Sequence, residues 1–374
     1  MKLALFLLLV SIQLYAQPRV CLNMIVKDES PVIERCLNSV KAFIDYWVIV
    51  DTGSTDGTQQ IIRRVLRDIP GELHQQPWEN FEHNRNEALA LARSKAEYIM
   101  IIDADEKLMI PPNATFPPLQ LDAYLVRVLA QNYDTPKIFL FKTLLPWKWE
   151  GVLHEHLTCE GMKAVASYIR GIEIKGDTLD GCRSRDPHKY EKDAAILEKA
   201  LRKEPNNARY WIFLGESYYL IKKYEAAIDA YEQRVSLGGW EEEVYHALHK
   251  IAACKYNLKR PPKEMIDAYN RAFNYRPTRG EPLFYMASYY YHELHNPKQA
   301  YEFLKQFVSI PIPSHEIQVE FPLYHYLGSA LLAECAVKLQ KFEEAKKIAQ
   351  ELLLRNDLPP EIRQQLSPKL CLLP

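Results

Sequence analysis

The chain has 374 residues, 48% of them hydrophobic and 25% charged, a composition that excludes a disordered chain and a length that suits two domains. Its 47 Lys and Arg balance 48 Asp and Glu to a formal net charge of -1, so no global basic field exists to hold nucleic acid or an anionic membrane. Any charged partner has to be met by a local site.

Residues 1–16 carry one early lysine, Lys2, and then an apolar run, the pattern of a secretory signal peptide cleaved near Ala16-Gln17. The run is short for a transmembrane helix. It places the protein in the secretory pathway or on a membrane, with a cytoplasmic protein of apolar start as the alternative. Seven cysteines are scattered without CxxC spacing, which argues against structural zinc and against a dense disulfide framework. Asn113-Ala114-Thr115 forms an N-glycosylation sequon that matters only in a secreted, glycosylated chain.

From Val20 the sequence alternates strand and helix patterns. Val20–Val26 reads as a first strand. Ser30-Pro31 then gives an N-cap with proline at the first helical position, and Val32, Ile33, Cys36, Leu37, Val40 and Phe43 share one helical face. A second strand, Tyr46–Val50, runs into Asp51-Thr52-Gly53-Ser54-Thr55-Asp56-Gly57, and an amphipathic helix follows from Thr58 to Leu66. The stretch from Leu73 to Phe81 is short and polar, and Asn84 to Ala96 is a helix pattern. Tyr98–Ile102 is unbroken apolar, the mark of a strand buried on both faces, and it ends in Asp103-Ala104-Asp105-Glu106. This order predicts a parallel sheet with right-handed crossovers. Three strands end in acids, at Asp28-Glu29, Asp51 and Asp103-Ala104-Asp105, and parallel pairing brings all three to the sheet edge where α/β ligands bind. Paired carboxylates there can hold a divalent cation against a diphosphate. Asp122–Val128 and Ile138–Lys142 read as further strands. Trp147-Lys148-Trp149-Glu150-Gly151-Val152-Leu153-His154-Glu155-His156 then gathers aromatics, imidazoles and carboxylates suited to sugar stacking and acid/base work.

The ordered motifs Met24-Ile25-Val26-Lys27-Asp28-Glu29, Val50-Asp51-Thr52-Gly53-Ser54-Thr55-Asp56-Gly57-Thr58, Arg85-Asn86-Glu87-Ala88-Leu89 and Ile102-Asp103-Ala104-Asp105-Glu106 resemble the family-two glycosyltransferases of the GT-A fold. The resemblance implies a Rossmann-like, mostly parallel α/β domain over 18–183 and a nucleotide-diphosphosugar donor. It implies that Lys27 and Asp28 line the base pocket, Asp51 holds base or ribose, and Arg85 touches the base. Glu29, Gly53, Ser54 and Ala104 complete the nucleotide contacts. Asp103 and Asp105 take ribose and a Mn²⁺ or Mg²⁺ ion, with His154 as a further metal or diphosphate contact. Glu155 is the candidate base that deprotonates the acceptor, with Glu106, Asp177 and Asp180 as alternatives. Inverting hexosyl transfer to a protein, glycan or lipid acceptor follows from the resemblance alone.

From about His188 strands vanish, and residues 187–370 read as an all-α solenoid. Trp211, Leu214, Gly215, Tyr218, Ala227 and Tyr231 match the tetratricopeptide packing positions, and looser copies follow. Small Gly215 and Ala227 let paired helices approach, and a protein partner or the acceptor docks on such a domain. Trp240-Glu241-Glu242-Glu243 reads as a solvated helix start. Two other functions compete. A repeat scaffold with an inactive α/β domain keeps the same motifs. The string Val50-Asp51-Thr52-Gly53 also looks like the turn of an aspartic protease, which needs a second such turn and an all-β scaffold.

Overall fold

A computed structural model of the chain describes residues 19–111, 116–129, 134–176, 180–313 and 318–371. The leader, the Asn113 sequon and Asp177 lie outside these residues. Two compact units divide between Lys189 and Tyr190.

In the first unit come β1 (Val20–Val26), α1 (Ile33–Val40), β2 (Tyr46–Asp51), α2 (Thr58–Val65), β3 (Gly71–Gln75) and α3 (Phe81–Ala92). They continue with β4 (Tyr98–Ile101), β5 (Glu106–Met109), β6 (Ala123–Leu129), β7 (Asp134–Lys142), β8 (Trp147–Glu150), β9 (His156–Cys159) and β10 (Ala166–Gly176). Eight strands form one sheet in the order β3-β2-β1-β4-β7-β6-β10-β5, and β8 and β9 form a separate hairpin. The block β3-β2-β1-β4 is parallel throughout, whereas β7 joins β4 antiparallel and begins the mixed half.

Tyr98, Ile99, Met100 and Ile101 are all 3% exposed or less, as an unbroken apolar strand requires. Alternation along β1 divides the core. Leu22 and Met24 join Ile33, Leu37, Ile49 and Ile62 under α1 and α2, while Cys21 joins Val48, Leu89, Ala92, Ile99 and Trp147 under α3. Asn23 is the polar break in that run. Its side-chain amide donates to Ala88 O at 2.9 Å and Val48 O at 3.2 Å, which ties α3 to the sheet.

Strands β3, β5, β8, β9 and β10 lie outside the strand patterns read from the sequence, and one helix start differs. β3 is an added edge strand in the polar stretch, because Glu72 and His74 spend their side chains on Tyr46, Lys95 and each other rather than on the core. The helix placed at Asn84 starts at Phe81, where Asn80 caps it by accepting from His83 N at 2.9 Å.

The second unit is helical: α4 (Lys189–Leu201), α5 (Ala208–Leu220), α6 (Tyr224–Ser236), α7 (Glu241–Asn257), α8 (Pro262–Tyr275), α9 (Glu281–His292) and α10 (Pro297–Phe307). A π-turn over Leu323–Leu327 leads into α11 (Gly328–Lys338), followed by α12 (Phe342–Leu353) and α13 (Pro360–Cys371). Consecutive helices pack into a tetratricopeptide-like solenoid. Gly215 is a true contact glycine: a Cβ there would lie 2.5 Å from the Tyr231 ring. The acidic start of α7 is solvated at Trp240 and Glu241, as its sequence suggests, but not at the next two acids. Glu242 is 6% exposed and receives Arg276 and Arg279 at 2.7 Å each, and Glu243 meets the buried Arg234 at 3.1 Å. Among the described residues, no helix is long and apolar enough to cross a membrane.

Candidate active site

β1, β2 and β4 run parallel, so Asp28-Glu29, Asp51 and Asp103-Ala104-Asp105 stand at the same end of the sheet. The first two loops are laced together. Asp28 N donates to Ser54 Oγ at 2.8 Å, Thr55 N to Asp28 Oδ1 at 2.8 Å, and Glu29 N to Thr58 Oγ1 at 2.8 Å. Asp28 has φ 52°, a left-handed backbone that these bonds sustain. Its carboxylate is thus committed to loop structure, while Lys27 beside it is exposed.

Asp51 is 1% exposed. Its Oδ1 accepts from Gly53 N and Ser54 N at 2.8 Å each, an Asx-type turn that Gly53 permits with φ 108°. Its Oδ2 is buried and has no hydrogen-bond partner among the described residues.

The end of β4 carries a dense charge network. Asp103 Oδ1 accepts from Arg85 Nη2 at 2.7 Å, and Oδ2 from Lys137 Nζ at 2.7 Å. Lys137 also donates to Glu106, whose Oε2 accepts from Asp103 N at 2.8 Å. Burial opposes ionisation of Asp103, but Lys137 and Arg85 outweigh it and hold the carboxyl well below its ordinary range. Asp105 has the opposite balance: burial, then the charges of Asp103 and Glu106, push it up to about 6. Burial likewise raises Glu106. Glu106 therefore positions Asp103 and Lys137.

Arg85 bridges to the β8–β9 loop, donating from Nε to Glu155 Oε1 at 2.6 Å and stacking 4.7 Å from the Trp149 ring centroid. The same helix fixes that loop twice more. Asn86 Nδ2 donates to Trp149 O and its Oδ1 accepts from Trp149 N, both at 2.9 Å, and Glu82 accepts from Gly151 N at 3.0 Å. His154 lies on this loop, exposed and with φ 52°. The site residues therefore form two groups, one around Asp51 and one around Arg85-Asp103-Glu155. Among the described residues, no three His, Cys, Asp or Glu side chains converge as a ready metal cluster.

Sequence reasoning missed Lys137 and, apart from Asp180, the segment after β10. Lys137 gave no signal beyond a cation at the start of a strand pattern. The segment from Asp180 to Arg185 closes over the loops. Asp180 pairs with Arg35 at 2.9 Å, Cys182 N donates to Glu29 at 3.0 Å, and Arg185 Nη2 donates to Asp28 O at 3.0 Å. Gly181 lies against Asp105, where a Cβ would come within 2.5 Å of Oδ2 and force that carboxylate to shift. The protease reading fails on the fold: Asp51 ends a parallel strand followed by α2, on an α/β sheet.

Fold and site together define a GT-A glycosyltransferase domain. Residues 21–111 match the model of glycosyl transferase family 2. The chain is similar to the SPbeta prophage-derived glycosyltransferase SunS of Bacillus subtilis, 25% identical over 232 residues, which are 59% of this chain and 54% of that protein. The chain thus spans about half the length of that relative. A TPR repeat-containing protein of Synechococcus elongatus is 38% identical over 95 residues, 25% of this chain and 22% of that one. Among solved structures, MamA is similar with 17% identity and a TM-score of 0.37, covering 51% of this chain and 98% of that one.

Proposed function

We propose that the first unit binds a nucleotide-diphosphosugar across the ends of β1, β2 and β4 and transfers its sugar to an acceptor recruited through the helical unit. Asp51 carries the reading. Leaving a buried carboxylate oxygen unpaired costs roughly 1–3 kcal/mol or more, and a donor from a bound nucleotide, an imide N–H or a ribose hydroxyl, would satisfy Oδ2. Lys27, Asp28, Glu29, Gly53, Ser54 and Ala104 surround that position in the proposal, Asp28 through the loop it braces.

Asp103 and Asp105 are the carboxylates that would hold a divalent cation. They fit it in one respect: Asp105 is crowded by Asp103 and Glu106, whose charges the Lys137 ammonium only partly offsets. Bound Mn²⁺ or Mg²⁺ would neutralise the diphosphate as it leaves. The chain's own residues supply the rest. Lys137 and Arg85 keep Asp103 ionised and aimed, and Trp149 offers a ring face beside Arg85. His154 is proposed as a diphosphate or metal contact. In inverting transfer the acceptor hydroxyl attacks the anomeric carbon, its proton passes to Glu155, and the nucleoside diphosphate departs with the bonding electrons. Because Arg85 engages Glu155 Oε1, the proton is assigned to the other carboxylate oxygen.

The secretory or membrane-associated setting stays a proposal, tested by N-terminal sequencing of the mature protein. An inactive scaffold is the second reading, since both Asp103 oxygens are occupied by side-chain cations. Hydrolysis of a panel of nucleotide sugars, with Mn²⁺ and with EDTA, separates the two. Metal-stimulated turnover lost in Asp51→Asn and Asp105→Asn supports the enzyme, and nucleotide binding without turnover supports the scaffold.

A further inference from the structure

We infer that the helical unit carries a binding site of its own for a neutral saccharide, in the cavity enclosed by α5, α7, α8, α9 and the segment at Gln318 and Glu320. This inference does not rest on the donor reading of the first unit. The cavity measures about 690 Å³, within the range of small-ligand sites.

Its walls are aromatic. The Tyr269 and Tyr285 rings lie within 4° of parallel with centroids 5.8 Å apart, and the His249 ring sits 5.3 Å from Tyr285 and 5.6 Å from Tyr269. At the mouth, Tyr256 and Tyr289 meet edge to face at 6.1 Å, with Tyr256 47% exposed. Flat apolar faces with polar rims suit sugar rings, which offer C–H faces to the π-system and hydroxyls to phenols and imidazole.

The cations in the wall are matched to carboxylates. Arg279 donates from Nη1 to Glu242 at 2.7 Å and from Nη2 to Glu281 at 2.8 Å. Lys250 stands 4.5 Å from the Tyr219 ring centroid and 3.9 Å from Glu216, which also pairs with His246. Glu320 accepts from Tyr285 Oη at 2.7 Å. An anionic ligand would have to break one of these pairs, which is costly where they are buried, and would also face Glu293 and Glu320. An uncharged, many-hydroxylated ligand leaves them intact.

His249 points the same way. Its Nδ1 is buried with no partner among the described residues, and its Nε2 lies 3.7 Å from Glu320 Oε1, too far for a direct hydrogen bond, so the ring has hydrogen-bonding capacity left for a ligand hydroxyl. Burial, the largest influence, lowers this imidazole to about 3 and keeps it neutral, so that it can both donate and accept.

The test is saturation-transfer NMR and calorimetry on the full chain with cellotriose, maltotriose, mannotriose and chitotriose, and with a pool of random unglycosylated peptides. One or more trisaccharides should bind, and Tyr256→Ala and His249→Phe should each weaken that binding at least about tenfold. Asp51→Asn should leave it unchanged, since the donor site lies in the other unit. Failure of all four sugars to bind would overturn the inference. So would binding lost in Asp51→Asn but kept in Tyr256→Ala, or peptide binding lost in the two cavity variants. Tyr256 is exposed at the rim, so its variant keeps the test decisive if His249→Phe folds poorly.

Discussion

Arg85 donates from Nη2 to Asp103 at 2.7 Å and from Nε to Glu155 at 2.6 Å, so one guanidinium ties the end of β4 to the β8–β9 loop. Two donors in a fixed plane serve two carboxylates on different elements, and the Trp149 ring stacked 4.7 Å away keeps that plane from turning. Burial would lower the Arg85 pKa, but Asp103 and Glu155 more than offset it, and the group stays charged throughout.

Arg85→Lys offers a point charge in place of the fork and can serve one carboxylate at a time. Donor hydrolysis is expected to fall by about 100-fold or more, the effect of misplacing reacting groups by an ångström. Arg85→Ala leaves Glu155, 11% exposed, without its cation. A stability loss of up to about 3 kcal/mol in urea unfolding is expected, the low end for a broken buried pair because Asp103 is 38% exposed and retains Lys137.

Asp51→Asn keeps one oxygen for the Gly53 and Ser54 amides but turns an NH₂ toward a ligand donor. Nucleotide affinity measured by calorimetry should weaken by about 10- to 100-fold, the cost of roughly 1.4 to 2.8 kcal/mol for an unmet or opposed donor. Without nucleotide the variant should be no less stable than the parent, because it removes a buried charge with an unpaired oxygen. A large fall in stability without ligand would instead make Asp51 a structural residue.

Glu29 accepts from Cys182 N at 3.0 Å, yet burial, the largest influence, raises its pKa to about 7 from an ordinary 4.5. The folded state therefore binds this proton more tightly than the unfolded chain. Its contribution is fully present below pH 4.5 and is lost as the pH rises through about 7. Glu29→Gln keeps an oxygen for Cys182 N and cannot ionise. Its melting temperature should match that of the parent near pH 4 and exceed it at pH 8; equal melting temperatures at both values would contradict this assignment.

The strand ends were readable because they rest on one-dimensional signals. Apolar runs at Val20–Val26, Tyr46–Val50 and Tyr98–Ile102 give the parallel strands, and the acids that stop them fall on one edge once the strands pair in parallel. The tetratricopeptide spacing gave Gly215 against Tyr231 in the same way. Lys137 was not readable, because it reaches Asp103 only through the antiparallel β4–β7 pairing, a contact 34 residues apart in sequence. Asp180 and Cys182 reach Arg35 and Glu29 across 145 and 153 residues, beyond any local pattern. Glu242 and Glu243 looked like helix-dipole acids on a solvated turn. Their partners are Arg234, which precedes the helix, and Arg276 and Arg279, which follow α8, so pairing between elements overrode the local preference.

Gly215→Ala sets two known effects against each other. Alanine improves helix propensity in α5 by about 1 kcal/mol. The new Cβ would fall 2.5 to 2.9 Å from three atoms of the Tyr231 ring, which is fully buried and has no room to yield. Overpacking of this kind costs about 1–3 kcal/mol, so the clash is expected to win, with a net loss of up to about 2 kcal/mol. The double variant Gly215→Ala/Tyr231→Leu trades the ring for a side chain that the new methyl can pack beside, and it should lose less stability than the sum of the two single changes. Chemical unfolding of the four proteins of this cycle measures the coupling. Simple additivity would show that the approach of α5 to α6 does not depend on this glycine.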